Sequence, residues 1–292
     1  MNRTRTAWLF LAPALLVLGV FFIVPVIGAL GLSLTDYDLY ALADIRNLRF
    51  VGLHNYWALL QRPLFWSALG NTFYFVAVGV PLSIGASLAS ALLLNSPLSR
   101  MKAFYRTVLF APVVTTVVAV AVIWRYLFNT KYGLMNDALA GLGLHPIDWL
   151  GDPHWAMPTI IAFAVWKNFG YNMIIFLAGL QAIPPELYEA ARMDGATAPR
   201  QFWHITLPML KPTMVLVMVL TVAGYFQLFA EPYVMTEGGP LQSTVSVLYL
   251  MYDDGFKWWN LGVASAVAFL LFAIILAITI ALLRLMRHKE PA

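Results

Sequence analysis

The sequence predicts an all-α, polytopic membrane protein with six transmembrane helices, and three observations carry that prediction. Of 292 residues, 61% are hydrophobic and 11% charged, against roughly one-quarter charged in a soluble domain. Six apolar runs reach the ~20 residues that a helix needs to cross the hydrocarbon core; they lie at about 8–32, 67–94, 105–128, 156–182, 212–235 and 261–285. Alternation of the strand type is absent, which argues against a transmembrane barrel.

In chain order, the first run follows Arg3 and Arg5. It is long and has no small-residue cleavage site, so it reads as a retained span rather than a signal peptide. The next segment, Thr35 to Trp66, is rich in aromatics that suit a membrane–water interface. The second span holds Gly79, Pro81 and Gly85, with small residues from Ser83 to Ala91. Small residues let backbones approach, so this face is expected against another helix rather than lipid. Pro112 is expected to kink the third span. Residues 129–155 are rich in turn formers and should make an outer loop with a short helix.

Between the fourth and fifth spans lies EAARMDGATAPRQFWHITLPMLKP, from Glu189 to Pro212. Pro185 can open a helix, because its fixed φ suits the first helical position. Gly195 supplies a left-handed stop after Asp194. Thr197 is then expected to cap a second short helix, with Pro199 in its first turn and Pro208 at its end. Gly238-Gly239-Pro240 reads as the turn that ends the fifth span, and the sixth carries no charge between Leu261 and Leu283. The chain has no cysteine, and its five histidines show no paired ligand spacing.

Basic residues set the expected orientation. One side collects Arg3, Arg5, Arg100, Lys102, Arg106, Arg192, Arg200, Lys211, Arg284, Arg287 and Lys289 against Glu186, Glu189, Asp194 and Glu290. That excess puts both termini and the 184–211 loop in the cytoplasm. The net charge of +4 is a topology signal, not a nucleic-acid footprint.

Glu189, Ala190, Ala191, Gly195, Ile205, Leu207 and Pro208 fall in the spacing of the EAA loop. The chain therefore resembles the membrane subunits of binding-protein-dependent ABC importers. Phe50-Val51-Gly52-Leu53, Asn55-Tyr56, Phe65-Trp66, Asn71-Thr72 and MTEGGPLQST at 235–244 look like the carbohydrate-uptake branch, with its maltose- or glycerol-phosphate-type first subunit. The resemblance covers nearly the whole chain. It implies a type I importer permease fold of the bacterial inner membrane: residues 1–66 as a first helix plus outer segment, 67–286 as the transmembrane core, and 287–292 as a cytoplasmic tail.

The same resemblance implies partners: a second homologous permease, a cytoplasmic ATPase dimer, an extracytoplasmic solute-binding protein and the surrounding lipid. The chain has no GxxxxGK[ST] sequence and so is not expected to hydrolyse ATP; no enzyme activity is expected of it, and ATP and Mg would sit on the partner. Glu189, Ala190, Ala191, Asp194 and Gly195 would couple nucleotide state to the spans. Compact helices suit that task, because they transmit a rigid-body push.

For the solute path, the fourth span offers Trp166, Lys167, Asn168, Tyr171 and Asn172, and the fifth Tyr225, Phe226, Gln227 and Glu231. Sugars present apolar C–H faces and rings of hydroxyls, which call for aromatic platforms beside amides and hydroxyls. Helical spacing groups Asn168, Tyr171 and Asn172 on one face and Gln227 with Glu231 on another. Polar helix-packing groups would have the same composition. Lys167 and Glu231 are charges at similar depth that either pair across the two spans or face the path separately. An anionic solute would call for several basic lining groups, so a neutral sugar or oligosaccharide is favoured over glycerol phosphate. A secondary transporter would call for inverted repeats and broken helices around an ion site, and neither is evident in the sequence. A membrane enzyme would need a clustered acid–base or metal constellation, which is absent too.

Overall fold

The computed structural model describes residues 3–96 and 101–287. The expected tail beyond Arg287, and residues 97–100 of the turn after the second span, lie outside the described residues. Among the described residues there is no strand, only one isolated bridge between Thr35 and Phe50. Four helices are long and apolar enough to cross a membrane unbroken: Phe10–Ser33, Pro63–Asn95, Pro153–Gln181 and Leu261–Leu285. Two bent helix pairs supply the remaining apolar runs: Lys102–Val114 with Val117–Leu127, bent by 97°, and Lys211–Tyr225 with the Ala198–Met209 helix of the 184–211 loop before it, bent by 66°.

The breaks correct three expectations. The third span does not merely kink at Pro112. Its first half runs about half a turn further and stops at Val114, where Thr115 Oγ1 donates to the Pro112 carbonyl at 2.6 Å. Pro208 does not end its helix. A π turn over Phe202–Thr206 precedes it, with Leu207 N–H donating to the Phe202 carbonyl, and this wider turn relieves the clash of a proline ring with the carbonyl four residues back. The fifth span is not one helix over 212–235: it stops at Tyr225, and a separate helix covers Ala230–Met235. Broken helices, which are not evident in the sequence, are thus present.

The chain divides into two compact units, Met1–Trp66 with Leu250–Ala273, and Ser67–Tyr249 with Ile274–Ala292. In the first unit, the apolar side chains of Phe10–Ser33 are exposed, among them Phe21 and Phe22. Asn55 Nδ2 donates to the carbonyls of Ser33 and Thr35 at 2.9 and 2.8 Å. Arg62 Nη1 meets both carboxylate oxygens of the buried Asp254 at 2.9 and 2.8 Å.

In the second unit, Pro153–Gln181 is the central helix. Lys102–Val114 and Lys211–Tyr225 both pack on it. Glycines allow the approach: a Cβ at Gly170 would lie 2.5 Å from the Leu109 carbonyl oxygen, and one at Gly179 would lie 2.6 Å from Thr213 Oγ1. Asp152 caps this helix by accepting from His154 N–H at 2.8 Å, with Pro153 at the first helical position. The outer loop 129–155 holds the expected short helix, Leu134–Gly141. Asn136 knits that loop, donating to Thr130 and Ile147 carbonyls and accepting from Ile147 N–H and Trp149 Nε1. The turn at Gly238-Gly239-Pro240 follows Ala230–Met235 rather than the fifth span. Asn71 Nδ2 holds the segment just past it, donating to the Gln242 and Val245 carbonyls at 3.0 Å each.

Candidate functional site

Two features of the second unit bear on function: the helical corner within 184–211 and a cavity among the spans. The corner opens with the helix Pro185–Met193, which starts at Pro185 as expected. Gly195 follows with φ +75°. Its N–H donates to the Arg192 carbonyl at 3.0 Å, and Ala196 N–H reaches the Ala191 carbonyl at 2.8 Å. Those bonds satisfy carbonyls that the end of a helix leaves without partners. The next helix begins at Ala198, and Gln201 N–H donates to the Thr197 carbonyl at 2.9 Å. Thr197 therefore stands at the cap position, but its hydroxyl makes no cap bond, a correction to the expected role.

Tyr188 Oη and Thr206 Oγ1, 2.9 Å apart, tie the two helices together. Glu189, Ala190, Asp194 and Gly195 are exposed and Ala191 is half-buried. Arg192 lies 4.0 Å from Glu189, and Leu187 and Met193 also face out, Met193 at 89% exposure. The result is a glycine-cornered pair of helices with an exposed face of charged and apolar side chains.

The cavity, of about 420 Å³, is lined by residues of four spans and of the short helix Ala230–Met235. Six of the nine path residues named from sequence meet there: Asn168, Tyr171, Asn172, Tyr225, Gln227 and Glu231. Asn172 Nδ2 donates to Thr221 Oγ1 at 2.9 Å, bridging the fourth and fifth spans. Asn168 Nδ2 donates to its own helix at the Ala164 carbonyl, 3.0 Å away. Gln227 and Glu231 reach the cavity by a different route from the one expected. They do not share a helix face; the chain turns after Tyr225, and each is carried in by that turn and the helix after it.

Three named residues are not in the lining. Trp166 packs against Trp124, ring centroids 5.4 Å apart. Phe226 is 1% exposed and sits edge-on to Phe73 at 5.3 Å. Lys167 is buried and donates to the Val113 carbonyl at 3.1 Å. That carbonyl is freed by the break at Thr115, and no Lys167–Glu231 ion pair is formed within 4.0 Å. The break thus offers Lys167 a nearer acceptor than Glu231.

The lining also holds Phe75 and Thr221, which sequence reasoning missed. Phe75 stacks on Tyr225, centroids 5.0 Å apart and planes 29° apart. The only sequence signal for it was its place four residues before Gly79, on the face expected to pack. Chemically, the cavity offers aromatic faces, two asparagines, a glutamine, hydroxyls and one carboxylate, with no Arg or Lys in the lining.

Residues 79–291 match the family of binding-protein-dependent transport system inner membrane components. The lactose transport system permease protein LacF of Rhizobium radiobacter is 38% identical over 255 residues, 86% of this chain and 83% of that protein. The trehalose/maltose transport system permease protein MalF of Thermococcus litoralis is 36% identical over 292 residues, 99% of this chain and 96% of that one. Among solved structures, a bacterial ABC transporter involved in import of the acidic polysaccharide alginate superposes with a TM-score of 0.85 at 23% identity, covering 99% of this chain and 98% of that one.

Proposed function

The chain belongs to the binding-protein-dependent transport system inner membrane components, and on that premise we propose that it carries a neutral sugar or oligosaccharide inward. It does so as one permease of a pair, driven by a separate ATPase dimer and supplied by an extracytoplasmic solute-binding protein. The cavity carries this reading. Its aromatic faces and amides suit C–H faces and hydroxyls, and its single charged lining group is Glu231. A phosphate ester would meet a carboxylate there and no cation in the lining, Lys167 being turned to the Val113 carbonyl, which disfavours it.

Glu189, Ala190, Ala191, Asp194 and Gly195 form the contact with the ATPase. Their support is exposure together with the rigidity of the Gly195 corner. ATP and Mg belong to that partner, and both termini lie in the cytoplasm by the distribution of basic residues.

The test is uptake into proteoliposomes holding both permeases and the ATPase, with the binding protein added outside. Radiolabelled lactose, maltose and trehalose are compared with glycerol 3-phosphate. ATP-dependent uptake of a saccharide is expected, and Asn172→Ala should lower it about tenfold, the equivalent of about 1.4 kcal/mol, with the complex intact on gel filtration. Uptake confined to glycerol 3-phosphate would overturn the reading.

A further inference from the structure

The second span carries a buried stripe at four-residue intervals: Phe75, Gly79, Ser83 and Ser87. Residues at that spacing share a helix face, and this face meets Tyr225. The Tyr225 ring stacks on Phe75 and continues over Gly79, where a Cβ would come within 2.7 Å of Cε1 and 3.0 Å of Cδ1. Any side chain at position 79 would therefore move the ring. Beyond the notch, the Tyr225 hydroxyl lies beside the Ser83 hydroxyl and the Asn168 amide.

The chemistry of these two hydroxyls is unusual for this unit. Thr72, Ser87 and Thr221 each bond a carbonyl four residues back, the ordinary way for a helix to satisfy such a group. Ser83 does not, although it is fully buried, and Tyr225 is 5% exposed. Ser83 Oγ and Tyr225 Oη lie within reach of each other, yet among the described residues neither makes a well-formed hydrogen bond. Buried hydroxyls are nearly always paired, and one left unpaired carries its desolvation penalty. Tyr225 also lines the cavity.

We propose that Ser83 and Tyr225 form a hydroxyl-recognition subsite of the solute path, completed by a hydroxyl of the transported polyol, and that Gly79 is the residue that positions the Tyr225 ring. Each side chain both donates and accepts, so the pair suits a neutral hydroxyl better than an ion. Both atoms are shielded from solvent here, so the subsite is engaged when the spans rearrange during transport. The proposal rests on the saccharide reading above and adds Gly79 and Ser83 of the second span to the path.

The test uses the reconstituted complex and the saccharide it takes up, with that saccharide's monodeoxy analogues. Tyr225→Phe and Ser83→Ala should each raise the half-saturating concentration roughly tenfold. For one monodeoxy analogue, which lacks the hydroxyl that the pair recognises, the same substitutions should change little. Equal penalties for the parent and every analogue would overturn the subsite. Gly79→Ala should abolish uptake, and adding Tyr225→Leu should restore part of it; wild-type uptake by Gly79→Ala would overturn the positioning role.

A further arm does not depend on the solute. In this cysteine-free chain, Ser83→Cys should react with methanethiosulfonate ethylammonium faster during ATP turnover than at rest. No labelling in either state would overturn the subsite even where saccharide uptake is found, and labelling where no saccharide is taken up would fault the saccharide reading alone.

Discussion

Among single residues, Arg62 and Asp254 form a partly buried ion pair although they lie 192 positions apart in the chain. No sequence signal links them, since each reads as an ordinary charge in an outer segment. The fold brings Arg62, just after the helix His54–Gln61, onto Asp254 in the π turn Asp253–Lys257. Burial pushes the Asp254 carboxyl above the ordinary carboxylate range, and the Arg62 hydrogen bonds and charge pull it part of the way back. Removing the cation strands a buried carboxylate, whereas removing the carboxylate leaves Arg62, whose side chain is 38% exposed, to water. Arg62→Met should therefore destabilise more than Asp254→Asn, toward the low end of the ~3–5 kcal/mol for breaking a buried pair. The sign with pH follows. A carboxyl whose folded pKa exceeds its unfolded one loses stability as pH rises through the window between them. Arg62→Met widens that window upward, so its deficit in detergent melting should shrink on acidification from neutral pH. A deficit that is independent of pH, or an equal one for Asp254→Asn, would rule this out.

Among elements, the unbroken spans were legible and the breaks were not. Hydropathy reports the cost of moving side chains into lipid, and Phe226 to Ala230 is as apolar as the helix before it. What ends the helix at Tyr225 is backbone pairing, which composition does not encode. Pro112 marked the third span as irregular, but the break falls at Thr115 and Thr116 because the helix tolerates the proline and is then closed by the Thr115 hydroxyl. This displacement decides the fate of Lys167, whose partner, the Val113 carbonyl, exists only because of the break. The polar path residues were found because their chemistry is visible in one letter. Phe75 and Ser83 were not assigned to the path, since a phenylalanine or serine in an apolar run has many ordinary reasons to be there.

The 185–209 corner is legible in the sequence because turn chemistry is local. Its glycine is the element's vulnerable point: φ is +75°, and a Cβ would meet nothing within 4 Å. Replacement thus costs backbone strain without a clash. Gly195→Val should cost about 1–2 kcal/mol locally and uncouple ATP hydrolysis from uptake, while Gly195→Asn, which tolerates the left-handed region, should retain most coupling. Equal coupling in both variants would show that the corner does not set the geometry of the contact.

For the whole molecule, the number of spans follows from the length of the apolar runs, and the expected sidedness from where the basic residues fall. The superposition on the alginate importer supports the type I permease fold. The proposed coupling needs the 185–209 corner on the cytoplasmic side, where the basic residues lead it to be expected. Glu189 tests both at once. It is exposed on the first helix of the corner, and the chain contains no cysteine, so Glu189→Cys gives a unique thiol without further change. In right-side-out vesicles, an impermeant maleimide should leave it unlabelled until the membrane is opened. In the assembled complex it should cross-link to single cysteines placed along the ATPase groove, with the yield changing between nucleotide-free and ATP-bound states, because a rigid-body push repositions the whole corner. Labelling from the outer side of intact vesicles would invert the topology. Cytoplasmic labelling with no cross-link at any groove position would keep the topology and remove Glu189 from the ATPase contact.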